Sequence, residues 1–318
     1  MAIIISTLKD NVIWVNNGPF EQSIHREQVD RMVKGLEAKD PEWFYDSFFI
    51  LSPGSSYVQQ TVPSVERKGF NRLIVVVYGE EHGRLVFKPN PDKNEYLFQS
   101  YLGSNTPPHP QREHIFPFPL LTPSVETEGP VKPMKDRKYS VFFSGNLNGN
   151  RWELYLGLSK KIGLYDRLLY RMRKMKGIYK LMQRQYTPSH LMSIPDAYIR
   201  FNKGFFFAGL PLAEYLQVTA DSKIILSPRG FSTPECYRTC EAMRYGCLVI
   251  TERLPEVPYY KDIPAIEVDN WLKSGEIINY YLSRPDLLEE YSAKALAYYK
   301  QHLSLDAMID YIHQNTAG

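Results

Sequence analysis

The sequence predicts an α/β protein made of two successive parallel-sheet units. Three observations predict it. Short β-branched or aromatic runs alternate with segments whose apolar residues recur at helical spacing, a proline-rich stretch interrupts the alternation, and the alternation then restarts. A chain of 318 residues with 43% hydrophobic content is long enough for two domains of ordinary size, each with its own core.

In the first half, "IIIS" (3–6), "WFYDSFFIL" (43–51) and "RLIVVVYG" (72–79) read as strands, and "REQVDRMVKGLEAK" (26–39) as a helix. From "KPNPDKN" through "SNTPPHPQ" and "FPFPLLTPS" to "EGPVKPMKDRK" the chain reads as loop, and its last part as a linker. That places the domains at 1–135 and 136–318. Beyond the linker, "YSVFFSGN" (139–146), "DAYIRF", "KIILS" and "CLVIT" read as strands, separated by helices in "RWELYLGLSKKIG", "PLAEYLQVTA" and "ECYRTCEAMRY". From Asn270 onward two or three helices are expected, belonging to the second domain.

Composition removes several function classes. The formal charge of +3 is close to balance, so nucleic acid is not an expected partner and any electropositive site must be local. The aromatic share of 14%, with 23 Tyr, offers stacking surface for flat or sugar-like ligands. Cys236, Cys240 and Cys247 match neither CxxC nor a zinc spacing and read as buried free thiols. The histidines are scattered, no DxD-type carboxylate pair appears, and no metal site is expected. The apolar patch in "MAIIISTLKDNVIWV" is too short for a membrane span, and no run of about 18 apolar residues follows; a cytoplasmic location is the expectation.

The most informative stretch is "SPRGFSTPECYRTCEAMRYGCLVIT" (227–251). Pro228 ends a strand, since it cannot donate to a ladder and holds its predecessor extended. Thr233 and Pro234 suggest an N-cap and a first helical position, and Gly246 suggests a left-handed cap before the next strand. In such a crossover the loop lies at the carboxyl edge of the sheet and feeds a helix amino terminus, where unpaired N–H groups favour a phosphate. Arg229 adds a fork of donors, and Gly230 permits close backbone approach. On the helix, Arg238, Glu241 and Tyr245 share a face. There Glu241 either accepts from a ribose diol or forms a surface pair with Arg238.

This stretch resembles the exostosin-like glycosyltransferases, whose nucleotide-sugar domain carries Pro-x-Gly, a Ser-containing loop, Arg-x-x-Glu-Ala and a Gly-Cys-hydrophobic-Val strand. The matching residues are Pro228-Arg229-Gly230, Ser232, Arg238-Thr239-Cys240-Glu241-Ala242 and Gly246-Cys247-Leu248-Val249, and the resemblance runs from about Ala197 to Leu303. The chain has leucine and then valine-isoleucine where that family often has isoleucine-proline-valine. The resemblance implies the GT-B architecture: two facing Rossmann-like domains with a cleft between them, donor held by the second, acceptor by the first, and no required metal. It implies a hexosyl- or pentosyltransferase that moves sugar from a UDP- or GDP-linked donor to a glycan or glycolipid acceptor, with no further cofactor. Donor contacts would come from Arg229, Gly230, Ser232, Thr233, Arg238 and Glu241, and from the glycine-rich turn "FFSGNLNGNRW" through Gly145, Asn148 and Arg151. That turn is not a dinucleotide fingerprint, which argues against an epimerase or another Rossmann enzyme. A non-catalytic nucleotide- or carbohydrate-binding protein on the same fold is the remaining alternative.

For the base that deprotonates the acceptor, Glu80, Glu81 and His82 follow an apolar strand at its expected carboxyl edge. A solvated turn is the competing reading. Asp46, within "WFYDSFFI", is the other candidate, because a charge inside a buried strand needs a reason. The basic, apolar-interleaved segment 165–186 either contacts an anionic membrane or an acidic acceptor, or is a solvated helical face.

Overall fold

A computed structural model of the protein describes residues 4–16, 19–54, 58, 61–62, 69–79, 87–102, 114–122, 130–173, 175, 194–202, 209–230 and 232–318, with 19–24 described by backbone alone. The chain divides into two compact units. The first comprises Met1–Ser124, Pro255–Lys261 and Lys300–Gly318; the second comprises Val125–Leu254 and Asp262–Tyr299.

In the first unit, β1 (Ile4–Lys9) and β2 (Val12–Asn16) form an antiparallel hairpin. From β2 onward the pairing is parallel, through β3 (Ser47–Ser52), β4 (Arg72–Val77), β5 (Glu95–Gln99) and β6 (Ile115–Pro117). Sheet order therefore follows chain order. Alternate residues face opposite sides. Trp14, Phe49, Leu51, Ile74, Val76 and Phe98 cluster with Val29, Met32 and Leu36 of α1 (Pro19–Lys39), whereas Ile13, Phe48, Ile50, Val75 and Leu97 cluster with Val58 and Val62. Both faces are covered, which is why these strands read as unbroken apolar runs.

Two expectations for this unit change. The run 43–51 is not one strand: Pro41–Tyr45 forms a short helix, α2, and only Ser47 onward is extended. Asp40 accepts from Trp43 N at 3.0 Å and Pro41 occupies the first turn, so a helix cap overrides the aromatic strand propensity. The proline-rich stretch is also not all loop, because β5 and β6 lie within it. The ladder bonds of β5 come from β4, and those of β6 from β5, each partner well separated in sequence.

The second unit holds β7 (Tyr139–Asn146), β8 (Tyr198–Asn202), β9 (Ser222–Ser227), β10 (Leu248–Glu252) and β11 (Ala265–Val268), all parallel, in the order β11-β10-β9-β7-β8. Its helices are α3 (Trp152–Leu158), α4 (Leu164–Met172), α5 (Leu212–Ala220), α6 (Tyr237–Arg244), α7 (Ser274–Leu282) and α8 (Pro285–Tyr298). Val141, Phe143, Phe201, Ile224, Leu226, Leu248 and Ile250 pack against Trp152, Tyr155, Leu158, Leu169 and Ile278 from α3, α4 and α7. On the opposite face Phe142 meets Tyr215 of α5. Arg137 fastens the other end of the unit: it is buried and donates to the carbonyls of Ser222 (2.8 Å), Tyr245 (2.7 Å) and Lys132 (3.0 Å).

The expected cap of α6 is displaced. The helix begins at Tyr237, after an extended Cys236, not at Pro234. Thr233 instead turns its hydroxyl onto Glu235 N at 3.2 Å, closing a local turn that competes with the helix. Gly246, at φ +63°, closes the helix as expected, with Gly246 N bonded to Met243 O and Cys247 N to Ala242 O. A Cβ there would stand 2.7 Å from Ser292 Oγ of α8, so both conformation and space require glycine. All three cysteines are free, Cys240 and Cys247 buried and Cys236 half-buried.

The trailing helices do not all stay in the second unit as expected. After a π-helical turn, Tyr299–Leu303, α9 (Leu305–Gln314) packs on α1 and puts Met308, Ile309 and Ile312 into the core of the first unit. Its polar side is tied there too, by Lys39 to Asp310 at 2.6 Å and by His313 to Asp40 at 3.1 Å.

Candidate functional site

The order of the second sheet decides where a ligand can sit. The chain leaves β7 and continues to β8 on one side, then returns to place β9 on the other, so the strand order reverses between β7 and β9. At such a switch point the two loops leave in opposite directions and open a crevice outside the carboxyl ends of the strands.

Here those loops are 146–151 and 228–236, and they are bonded to each other: Asn150 Nδ2 donates to Gly230 O at 2.9 Å, and Arg151 Nε to Arg229 O at 3.2 Å. Asn148 shapes the first loop. Its side-chain oxygen accepts from Asn150 N (3.0 Å) and Arg151 N (3.1 Å), capping the 3₁₀ turn Gly149–Arg151. Arg151 is thereby buried with its Nη1 on Asn146 O at 3.1 Å.

A second buried arginine arrives from α6. Arg238 Nη2 donates to Ser144 O at 3.2 Å, while Arg238 Nε is buried without a hydrogen-bond partner. The two guanidiniums share the Phe143 ring, 5.8 Å and 5.2 Å from its centroid. Between them lies Gly145: a Cβ on it would stand 3.0 Å from Arg151 Nη1 and 3.4 Å from Arg238 Nη2. Two like charges brought together under cover are costly unless an anion joins them, and the orphaned Nε is a donor with nothing to bind. An anion placed there would meet donors from both arginines, in addition to the counter-charge that Glu241 offers Arg238.

Glu241 stands behind Arg238. It is only 5% exposed, so the expectation of a surface ion pair on this helix fails. Burial pushes its carboxyl up to about 7, against the opposing pull of the Arg238 charge and of a hydrogen bond from Tyr215. Burial likewise raises the Tyr215 phenol.

Beside the first loop is a cavity of about 430 Å³. Gly149, Asn150, Glu153 and Arg173 line it together with Arg229, Glu252, Asp269 and Trp271. Arg229, expected to lend its fork of donors to a phosphate, is engaged by a carboxylate. Glu252 takes its Nε, accepts from its backbone N at 3.3 Å, and also accepts from Trp271 Nε1 at 2.9 Å. The cavity therefore presents carboxylates matched by arginines, a lining suited to hydroxyl groups more than to a bare anion. Of the remaining expected donor contacts, Gly230 bonds through its carbonyl as above, Thr233 is buried in its own turn, and Ser232 is exposed.

Glu153, Arg173, Glu252, Asp269 and Trp271 were not singled out from sequence. A signal existed for two of them. Glu252 ends β10 and Asp269 directly follows β11, the same carboxyl-edge position that drew attention to 228–230. Glu80, Glu81 and His82 lie outside the described residues. Asp46 is described and is not within a strand. It caps the end of α2 and pairs with Arg72 and Asn71, both at 2.5 Å, at the edge where β3 begins. Its charge is explained by that pairing. Among the described residues no group of three or more His, Cys, Asp or Glu gathers as a metal site, and no helix is long and apolar enough to cross a membrane.

No family model matches the chain, and no curated protein matches it. Among solved structures it is similar to the crystal structure of TarM, with a TM-score of 0.46 and 12% identity over 86% of this chain and 56% of that one. The chain thus spans little more than half of that protein, and a likeness of this degree bears on neither activity nor substrate.

Proposed function

We propose that the second unit binds a nucleoside diphosphate sugar and that the protein is a glycosyltransferase. The observation that carries this reading is the meeting of Arg151 and Arg238 over Gly145 at the switch point, with Arg238 Nε unpartnered. A diphosphate would take donors from both guanidiniums. The hydroxyls of its sugar or nucleoside would find carboxylate and arginine partners in the adjoining cavity. As the bond to the sugar breaks, charge builds on the departing diphosphate, and two fixed guanidiniums in a water-poor crevice would stabilise it without a metal ion. Glu241 then either reaches the ribose diol or holds Arg238 from behind. Proton removal from the acceptor hydroxyl is assigned to one of Glu80, Glu81 and His82, and the acceptor to a glycan or glycolipid.

The test is calorimetric titration of UDP and GDP into wild type and Gly145→Ala. The added methyl meets both guanidiniums and also the buried Phe143 ring at 3.1 Å, so affinity should fall about tenfold or more, while circular dichroism stays unchanged and melting shifts only slightly. Chelator should alter neither wild-type affinity nor sugar transfer. Equal affinity of wild type and Gly145→Ala would remove the two arginines from the donor site. Tight donor binding with no transfer to any glycan or glycolipid would leave a binding protein instead of an enzyme.

A further inference from the structure

Large apolar side chains exposed to solvent are concentrated at one place. Of the eleven among the described residues, five fall between 162 and 175: Ile162, Leu164, Tyr165, Leu168 and Met175. Leu164 is 86% exposed and Leu168 52%. They belong to α4 and its flanks, which are not loosely held. Leu169 is buried in the core, Tyr170 hydroxyl donates to Glu153 at 2.8 Å, and Arg173 stacks 3.9 Å from the Tyr170 ring. One side of the helix is thus anchored, and the opposite side carries leucines into water.

At 100° per residue, Leu164 and Leu168 form a ridge along α4, with Arg167 and Arg171 in the adjacent row. Both arginines are exposed, as are Lys160 and Lys161 just before the helix. Asp166 is the acid within 160–173, and its carboxylate accepts from Gly163 N at 3.3 Å.

We infer that α4 is a docking face for an anionic lipid surface. A leucine ridge bordered by cations lies naturally in the headgroup region, apolar side chains below and guanidiniums level with the phosphates. The charge also argues against a second copy as occupant, since a two-fold interface would set these cations against themselves. The inference does not depend on the donor-site reading. Because Glu153 and Arg173 line the cavity as well as holding α4, lipid contact would bring that cavity close to the membrane plane.

The experiment is co-sedimentation with vesicles of phosphatidylcholine alone and of phosphatidylcholine mixed with phosphatidylglycerol. Wild type should bind the mixed vesicles and not the neutral ones, with affinity falling as salt rises. Leu164→Ser with Leu168→Ser, and separately Arg167→Glu with Arg171→Glu, should each weaken binding by about tenfold or more. All four positions are exposed, so melting should be unchanged. Equal binding of wild type and both variants, or no preference of wild type for the anionic vesicles, overturns the inference. So does a concentration-dependent dimer in sedimentation velocity that the leucine variant abolishes, since that would assign the ridge to a second copy.

Discussion

Both units are built on sheets whose pairing is parallel, apart from the β1–β2 hairpin of the first, yet they differ in how the strands are ordered. In the first, β1 to β6 lie side by side in the order in which the chain makes them; in the second, β8 and β9 flank β7 and the order reverses. The reversal matters more than the sheet itself. It makes two successive crossover loops diverge, and the space between them is where backbone carbonyls, a glycine and two arginines come together. Among its described strands the first sheet has no such reversal.

The largest expected effect probes the claim that α9 belongs to the first unit. Ile309 packs so close to α1 that a Cβ on Gly35 would stand 2.3 Å from its Cδ1. Ile309→Ala should cost about 2–5 kcal/mol. Amide exchange should speed up in α1 and β2–β4, while Ile278→Ala, in the other core, should speed it up around α3 and β7. Faster exchange in the second unit from Ile309→Ala would break the division.

The next effect separates binding from chemistry. Glu80→Gln, Glu81→Gln or His82→Asn should lower turnover about a hundredfold, near 2.7 kcal/mol, in at least one case, with nucleotide affinity unchanged. Normal turnover in all three would move the base elsewhere. Asp46 is the next candidate to test, although its pairing with Arg72 already accounts for its charge.

The smallest effect is in pH dependence, where the units should respond with opposite sign. In the first, burial lowers the His25 imidazole to about 4 from 6.5. The unfolded chain therefore binds that proton first, and stability should fall as pH drops from 6.5 towards 4. In the second, burial raises Glu241 to about 7 from 4.5. There the folded state holds the proton longer, so stability present below pH 4.5 should be lost as pH rises through 7. Each term is on the order of 3 kcal/mol. His25→Phe should flatten the first slope and Glu241→Gln the second, in melts across this range. The same Glu241→Gln protein, titrated with UDP and GDP, distinguishes the roles of that carboxylate: a ten- to hundredfold loss of affinity fits a ribose contact, and a slight change fits a support for Arg238. If neither substitution alters its slope, the burial of these two groups has no thermodynamic consequence in this range.

Local chemistry in the sequence determined a great deal of the second unit. Short apolar runs placed β7, β8, β9 and β10, and period-3.6 patterns placed α3, α5 and α6, because strands buried on both faces and helices with one buried stripe leave direct traces in residue order. Pro228 and Gly246 marked a strand end and a helix end for reasons confined to a few atoms. The family resemblance also named Gly145, Arg151 and Arg238 as candidates, though not that they meet.

What the tertiary structure alone decided involves partners distant along the chain. The strand β5 exists because β4 supplies its hydrogen bonds, and β6 because β5 does, despite the prolines around them. Asp40 converts an aromatic run into α2, and Asp46 acquires its meaning from Arg72. Glu252 takes up the charge of Arg229, a partner twenty-three residues further along the chain. Glu241 is buried, not on the surface, and it is paired with Tyr215, twenty-six residues earlier and on another helix. Charge and burial depend on which groups the fold brings within a few ångströms. Residue order specifies neighbours along the chain, but only the closed sheet and its covering helices specify neighbours in space.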